Sequence, residues 1–218
     1  MSPVWIFDLD NTLHNASLHI FPHINRSMTA YLQQHLQLDQ PAANALRLQY
    51  WKRYGATLSG MMRHHDTDPE HFLWHTHQFA ELQQMVIREP RLRVTLKKLS
   101  GKKLVFSNAP QQYARAVLRL LRVEDLFDDV FTIEHTGYCP KPQLAGFMQL
   151  LYKHRLQAAR CVMVEDSAEN LQSAKQLGMR TVWVNGTTRT PAYVDVKIRD
   201  VTQLAKNQWL LYLMYIRS

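Results

Sequence analysis

Four short apolar runs, each bounded by polar turn residues, punctuate the chain. The first is Val4, Trp5, Ile6 and Phe7, and it ends at Asp8. The others are Lys103 to Phe106, Cys161 to Val164 and Thr181 to Val184. All are rich in β-branched or aromatic residues, the pattern of strands buried on both faces of a parallel sheet. Helical periodicity fills the spaces between the later runs. Residues 111–121 place Ala114, Val117, Leu118 and Leu121 on one face, with Pro110 just ahead. Residues 142–154 open with Pro142, which suits a first helical turn. Residues 168–177 align Leu171, Ala174 and Leu177, and Gly178 supplies a stop. Strands alternating with helices predict right-handed crossovers and an α/β, doubly wound (Rossmann-like) parallel sheet.

Residues 17–88 break that alternation. They carry three or four helical patterns and no convincing strand, with Pro22 and Pro41 each opening one pattern. Aromatics crowd the centre at Tyr50, Trp51, Tyr54, Phe72, Trp74 and Phe79. The expected organisation is a core of 1–16 and 89–218 with a small helical cap of 17–88 inserted after the first strand. A helix around 91–99 returns the chain to the sheet. Most of the aromatics are expected to fill the core of a helical bundle. An apolar tail from Trp209 to Ile216 is expected to pack on the core, and it also admits a homodimer contact.

Composition narrows the picture only a little. The chain has 218 residues, of which 46% are apolar, enough for a sizeable buried core. Two cysteines make neither a disulfide framework nor a Cys-rich zinc site. No apolar stretch is long enough to span a membrane and no signal peptide is visible, so the expected compartment is cytoplasmic and no membrane partner is expected. The net charge of +8 is spread over scattered Lys and Arg residues with no basic run interleaved with aromatics. Nucleic-acid binding is therefore not expected, and attraction of small anions is. Among eleven histidines, His71 and His75 are four apart with His77 close by. No adjacent Glu completes a zinc-protease pattern, so they read as surface or packing residues.

Four motifs carry candidate chemistry. Asp8 and Asp10 follow the first strand, two apart and on the same side, where the carboxyl ends of parallel strands face a ligand crevice. Paired acids repel unless a cation or a shared proton relieves them, and magnesium with oxygen ligands is the usual cation at phosphate sites. A carboxylate held near a phosphate can be a nucleophile, and a second can act as general acid and base. Ser107 and Asn108 follow the second run, where a hydroxyl and backbone N–H groups can hold a phosphate oxygen. Lys141, between Pro140 and Pro142, can neutralise phosphate charge. Glu165 and Asp166 end the third run, and Ser167 or Asn170 can orient them.

In this order and at these positions, the four motifs resemble those of the haloacid-dehalogenase-like hydrolases along residues 4–185. The resemblance implies Asp8 as nucleophile, Asp10 as general acid and base, and Thr12, Ser107, Asn108 and Lys141 around the phosphate. It implies a magnesium ion held by Asp8, the Asp10 carbonyl and Asp166, with Glu165 assisting. Dehalogenases of that superfamily lack an acid at the position of Asp10, so phosphate-ester chemistry is expected. The cap segment Arg53 to Leu58 is similar to a motif of the pyrimidine 5′-nucleotidase branch, with Ala56 standing in place of its first threonine and Glu165 where aspartate is common. That likeness implies a nucleotide substrate, with Tyr54 and Thr57 as cap contacts. Other small phosphate esters, a phosphomutase and a catalytically silent phosphate-ester sensor are the competing readings.

Overall fold

The computed structural model describes residues 2–205. Six strands form one sheet: β1 (Val4–Phe7), β2 (Lys103–Phe106), β3 (Asp129–Phe131), β4 (Cys161–Glu165), β5 (Arg180–Val184) and β6 (Val196–Ile198). Their order is β3-β2-β1-β4-β5-β6, and every pairing is parallel. The chain winds outward to one edge from β1, crosses back to β4, and winds to the other edge. β1 therefore sits at the switch point, with Phe7 registered against Val105 on one side and Val164 on the other.

Side chains alternate across the sheet, which splits each apolar run between two cores. Trp5, Phe7, Val105 and Val164 join Leu92 and Leu96 of α6 (Pro90–Lys98) and Ala114, Val117 and Leu118 of α7 (Gln111–Leu121). Ile6, Leu104, Phe106 and Met163 join Phe147 and Leu150 of α8 (Leu144–Lys153) and Leu171 and Ala174 of α9 (Ala168–Gln176). Complete burial of one such side chain stabilises the fold by roughly 1.5–3 kcal/mol. Two covered faces explain why these strands show no polar alternation.

The segment between β1 and α6 is helical: α1 (Ile20–Leu36), α2 (Gln40–Tyr54), α3 (Thr57–His65), α4 (Pro69–Thr76) and α5 (Leu82–Met85). Asp39 accepts the Ala42 N–H at 2.8 Å to cap α2, and Asp68 caps α4 in the same way. Gly55 ends α2 with φ +81°, where a side chain would be strained. Tyr31, Leu32, Tyr50, Leu58, Met61 and Phe72 make a third core within these helices, and Ile133 from the sheet side joins it. Trp51 and Trp74 stay outside that core, each more than half exposed.

Two differences from the expectation are instructive. β3 and β6 have only three residues each, too few to show a periodic signature. The helix expected from Pro142 starts at Leu144, because Gln143 N–H bonds Pro140 O at 3.0 Å and closes a turn first. The apolar tail from Trp209 lies outside the described residues. Among those residues no helix is long and apolar enough to cross a membrane.

Candidate active site

The carboxyl ends of β1, β2 and β4 bring the four motifs together. Asp8 follows β1 and stays on the ladder through its N–H to Val164 O at 2.9 Å. Glu165 ends β4, and Asp166 follows it. Lys141 arrives from the loop before α8 and is 2% exposed. Its Nζ donates to Asp8 Oδ1 at 2.7 Å, Glu165 Oε2 at 2.8 Å and Phe106 O at 2.8 Å. All three ammonium protons are thus used, and the lysine is fixed.

Asn108 holds this lysine from the backbone side. Its Oδ1 accepts Lys141 N–H at 2.8 Å, and its Nδ2 donates to Lys141 O at 3.0 Å. Ser107 Oγ accepts the Ala109 N–H at 3.1 Å. Glu165 Oε1 accepts the Ser167 N–H at 3.1 Å, so both of its oxygens are engaged. Ser167 caps α9 through Asn170 N–H.

The electrostatics are unbalanced. Three carboxylates, Asp8, Glu165 and Asp166, offer oxygens within 4.8 Å of one another. One ammonium faces them. Burial, then the neighbouring Glu165 charge, push the Asp8 carboxyl up to about 7 despite Lys141. Burial also raises Glu165 and Asp166 above the usual carboxylate range. Burial opposes the charge on Lys141, but Asp8 and Glu165 override it and raise its pKa. An excess of buried negative charge built only from hard oxygen donors fits magnesium. Asp8 Oδ2 and Asp166 are the oxygens that Lys141 leaves free, and Glu165 is occupied as the lysine's anchor.

Asp10 stands apart from this acid cluster. Its Oδ1 accepts the Tyr113 hydroxyl at 2.5 Å and meets His14 Nε2 at 2.9 Å. Asn11 turns the chain here with φ 62°, and its Oδ1 accepts the N–H groups of Ala16 and Ser17.

A cavity of about 540 Å³ connects these residues to the inserted helices. Asp8, Asp10, Ser107, Asn108, Lys141, Glu165 and Asp166 line one end. Asn25, Arg47, Leu48, Trp51, Thr57 and His77 line the other. Two expected contacts fall elsewhere. The bond from Leu13 N–H to Leu9 O turns Thr12 inward, where its Oγ1 is buried without a partner and off the cavity wall. Tyr54 also lies off the wall, its hydroxyl 2.6 Å from His64 Nε2. Thr57 reaches the wall but donates its hydroxyl to Arg47 O at 3.2 Å. Of the three histidines singled out, His71 pairs with the Tyr31 hydroxyl and His77 is buried.

Sequence reasoning passed over His14, Arg47 and Tyr113, and it read His77 only as a surface or packing residue. Tyr113 had a readable signal. It precedes Val117 by four on the buried face of α7, and a buried tyrosine hydroxyl needs a partner. Arg47 had none, and nothing marked His77 as a cavity residue, because their neighbours come from distant helices.

The profile described as haloacid dehalogenase-like hydrolase matches residues 5–184. The chain belongs to this family. It is 26% identical over 191 residues, 81% of its length, to "Phosphate metabolism protein 8" of Saccharomyces cerevisiae. It spans 59% of the length of that curated relative. Among solved structures, a HAD phosphatase from Thermococcus onnurineus is similar with a TM-score of 0.68 at 23% identity, covering 95% of this chain and 98% of that one. CbbY from Rhodobacter sphaeroides in complex with phosphate gives 0.66 at 17%, covering 94% and 96%. A 2-haloacid dehalogenase from Pseudomonas syringae gives 0.62 at 22%, covering 96% and 100%. These likenesses establish the fold.

Proposed function

We propose that this haloacid dehalogenase-like hydrolase is a magnesium-dependent phosphomonoesterase that works through an aspartyl-phosphate on Asp8. The observation that carries the reading is the buried Lys141 bonded to both Asp8 and Glu165, in a cluster whose negative charge it only partly offsets. Lys141 holds Asp8 through Oδ1, so the carboxylate is aligned at the strand end. A bound magnesium ion, held by Asp8, Asp166 and the Asp10 carbonyl, would supply the positive charge that lets dianionic phosphate approach these acids.

In the first step a carboxylate oxygen of Asp8 forms a bond to phosphorus while the bond from phosphorus to the ester oxygen breaks. Asp10 gives its proton to the departing oxygen, so the product leaves as an alcohol. In the second step Asp10 takes a proton from water as that water attacks phosphorus. The Asp8 carboxylate leaves, and inorganic phosphate is released. The fixed charge of Lys141 offsets that of the phosphoryl oxygens, and the Ser107 loop holds them throughout. An acid at position 10 separates this scheme from dehalogenation, which has no leaving alkoxide to protonate.

We assign the segment 17–88 as a cap over the core of 1–16 and 89–218, because its residues form the far wall of the cavity. The substrate we assign is a nucleoside 5′-monophosphate, with pyrimidines preferred. Three features support this. The cavity of about 540 Å³ falls in the range that holds a ligand of nucleotide size. Trp51 presents an exposed flat face at its wall. Arg47 is locked by NH1 to Asn25 Oδ1 at 2.8 Å, and its Nε is buried without an acceptor. A base lying beside Trp51 would be close to this fixed cation, which the cavity wall also carries.

Asp8→Asn should abolish turnover with the fold intact, and chelation of magnesium should stop the wild type. Retained activity in either case would exclude the scheme. On a panel of UMP, CMP, AMP and sugar phosphates, the expected order places the pyrimidine nucleotides first. Equal rates across the panel would remove the nucleotide assignment and leave the phosphatase.

A further inference from the structure

Asp10 has one saturated oxygen and one open one. Tyr113 and His14 both direct donors at Oδ1, at 2.5 and 2.9 Å. A carboxylate has no proton to return, so His14 donates through Nε2–H, and its Nδ1 is left buried without a partner. No side chain among the described residues bonds Oδ2. A proton carried by Asp10 is thereby confined to Oδ2, the atom available to a departing ester oxygen. The phenol is the donor in this pair, because a carboxylate oxygen can only accept.

Tyr113 is itself packed against the inserted segment. Its ring lies 5.4 Å from Phe79 at 31° and 5.8 Å from His77 at 62°. Phe79 stacks in turn on His23 of α1 at 4.7 Å. His77 lines the cavity, and its Nδ1 is 3.2 Å from Leu73 O and 3.0 Å from Thr76 Oγ1. The side chain that holds the acid therefore sits between a core helix and the insertion.

We infer that Tyr113 is a positioning residue that selects the reactive oxygen of Asp10, and that Phe79 and His77 of the insertion brace it. This deepens the phosphatase reading and rests on Asp10 acting as the acid. An acid matters most when the leaving oxygen is a poor leaving group. It matters little when the leaving group departs without a proton. The position of the insertion would then be transmitted to the chemistry through one ring rather than through contact with phosphate.

The test compares kcat/KM on β-glycerol phosphate, an alkyl ester, and p-nitrophenyl phosphate, whose phenolate needs no protonation. Tyr113→Phe deletes only the hydroxyl. It should lower kcat/KM roughly 30-fold on the alkyl ester, within the usual range for general acids. On the aryl ester the loss should be no more than about threefold. Phe79→Ala should show the same selectivity at smaller size. His14→Leu should follow Tyr113→Phe, whereas His14→Gln, which keeps an N–H donor, should recover most of the loss. Equal losses on the two esters in a folded Tyr113→Phe protein would overturn the inference, as would no loss on either. If Tyr113→Phe is selective and Phe79→Ala is not, the brace is excluded. A wild type that hydrolyses neither of these esters nor UMP would instead end the phosphatase reading.

Discussion

At the scale of single residues, Lys141 decides how the acids behave. Its three bonds are all to oxygens of the protein, so its charge is fixed in place at the strand ends. Asp8 is consequently pre-aligned but still crowded by like charge, and its carboxyl is pushed up to about 7 by burial first and Glu165 second. An unfolded aspartate releases its proton near 3.8. The ion-free folded protein thus holds an extra proton between those values. The stability that Asp8 contributes this way is complete below about pH 4 and is lost as pH rises through about 7. A divalent cation competes for the same carboxylate, so the opposite slope applies to metal binding. We expect the rise in melting temperature caused by magnesium to be clearly larger at pH 8 than at pH 6. Thermal melts at a fixed, subsaturating magnesium concentration would measure it, and an equal rise at the two pH values would contradict a proton–metal exchange at Asp8.

At the scale of elements, legibility in the sequence followed burial. β1, β2, β4 and β5 were readable because both of their faces are covered, which makes their inner positions almost all apolar. β3 and β6 were not, since edge strands of three residues depend on a neighbour for their form. The acid pairs and Ser107 were readable because each ends or follows a strand, and Lys141 because prolines flank it, whereas Arg47 and His77 become meaningful only when α2 and α4 meet the sheet. Tertiary contact also governs the glycines of α2 and α3. A Cβ at Gly60 would lie 2.2 Å from the Tyr50 ring, but one at Gly55 would meet nothing within 4 Å. Gly60→Ala must therefore push α3 off α2, the helix that carries Arg47 and Trp51, and overpacking of this kind costs about 1–3 kcal/mol. Gly55→Ala suffers only backbone strain, on the order of 1 kcal/mol. In melts and steady-state kinetics, Gly60→Ala should lower the melting temperature more and raise the nucleotide KM several-fold, with p-nitrophenyl phosphate affected less. Matched effects of the two alanines would show that α2–α3 packing does not shape the far wall.

At the scale of the whole molecule, two cores flank the sheet and a third lies within the inserted helices, with one cavity reaching from the strand ends to α2. That division gives ligands of different length different reach. Inorganic phosphate is small enough to be satisfied by Lys141 and the strand ends alone. A nucleotide bound by the same groups must extend its base across the cavity to the wall made by Arg47, Leu48 and Trp51. Ligand binding suppresses the local opening of whatever it contacts, and amide exchange reads that opening segment by segment. Asp8→Asn with magnesium allows this to be measured without turnover. With phosphate at saturation, slowed exchange should be confined to the loops after β1, β2 and β4 and to the start of α7. With UMP at equal saturation it should extend into α2 and the start of α3. The Tyr113 region of α7 should respond in both states, since Asp10 is held there whether or not a base is present. Identical patterns for the two ligands would place the base outside the cavity and would separate the insertion from substrate choice.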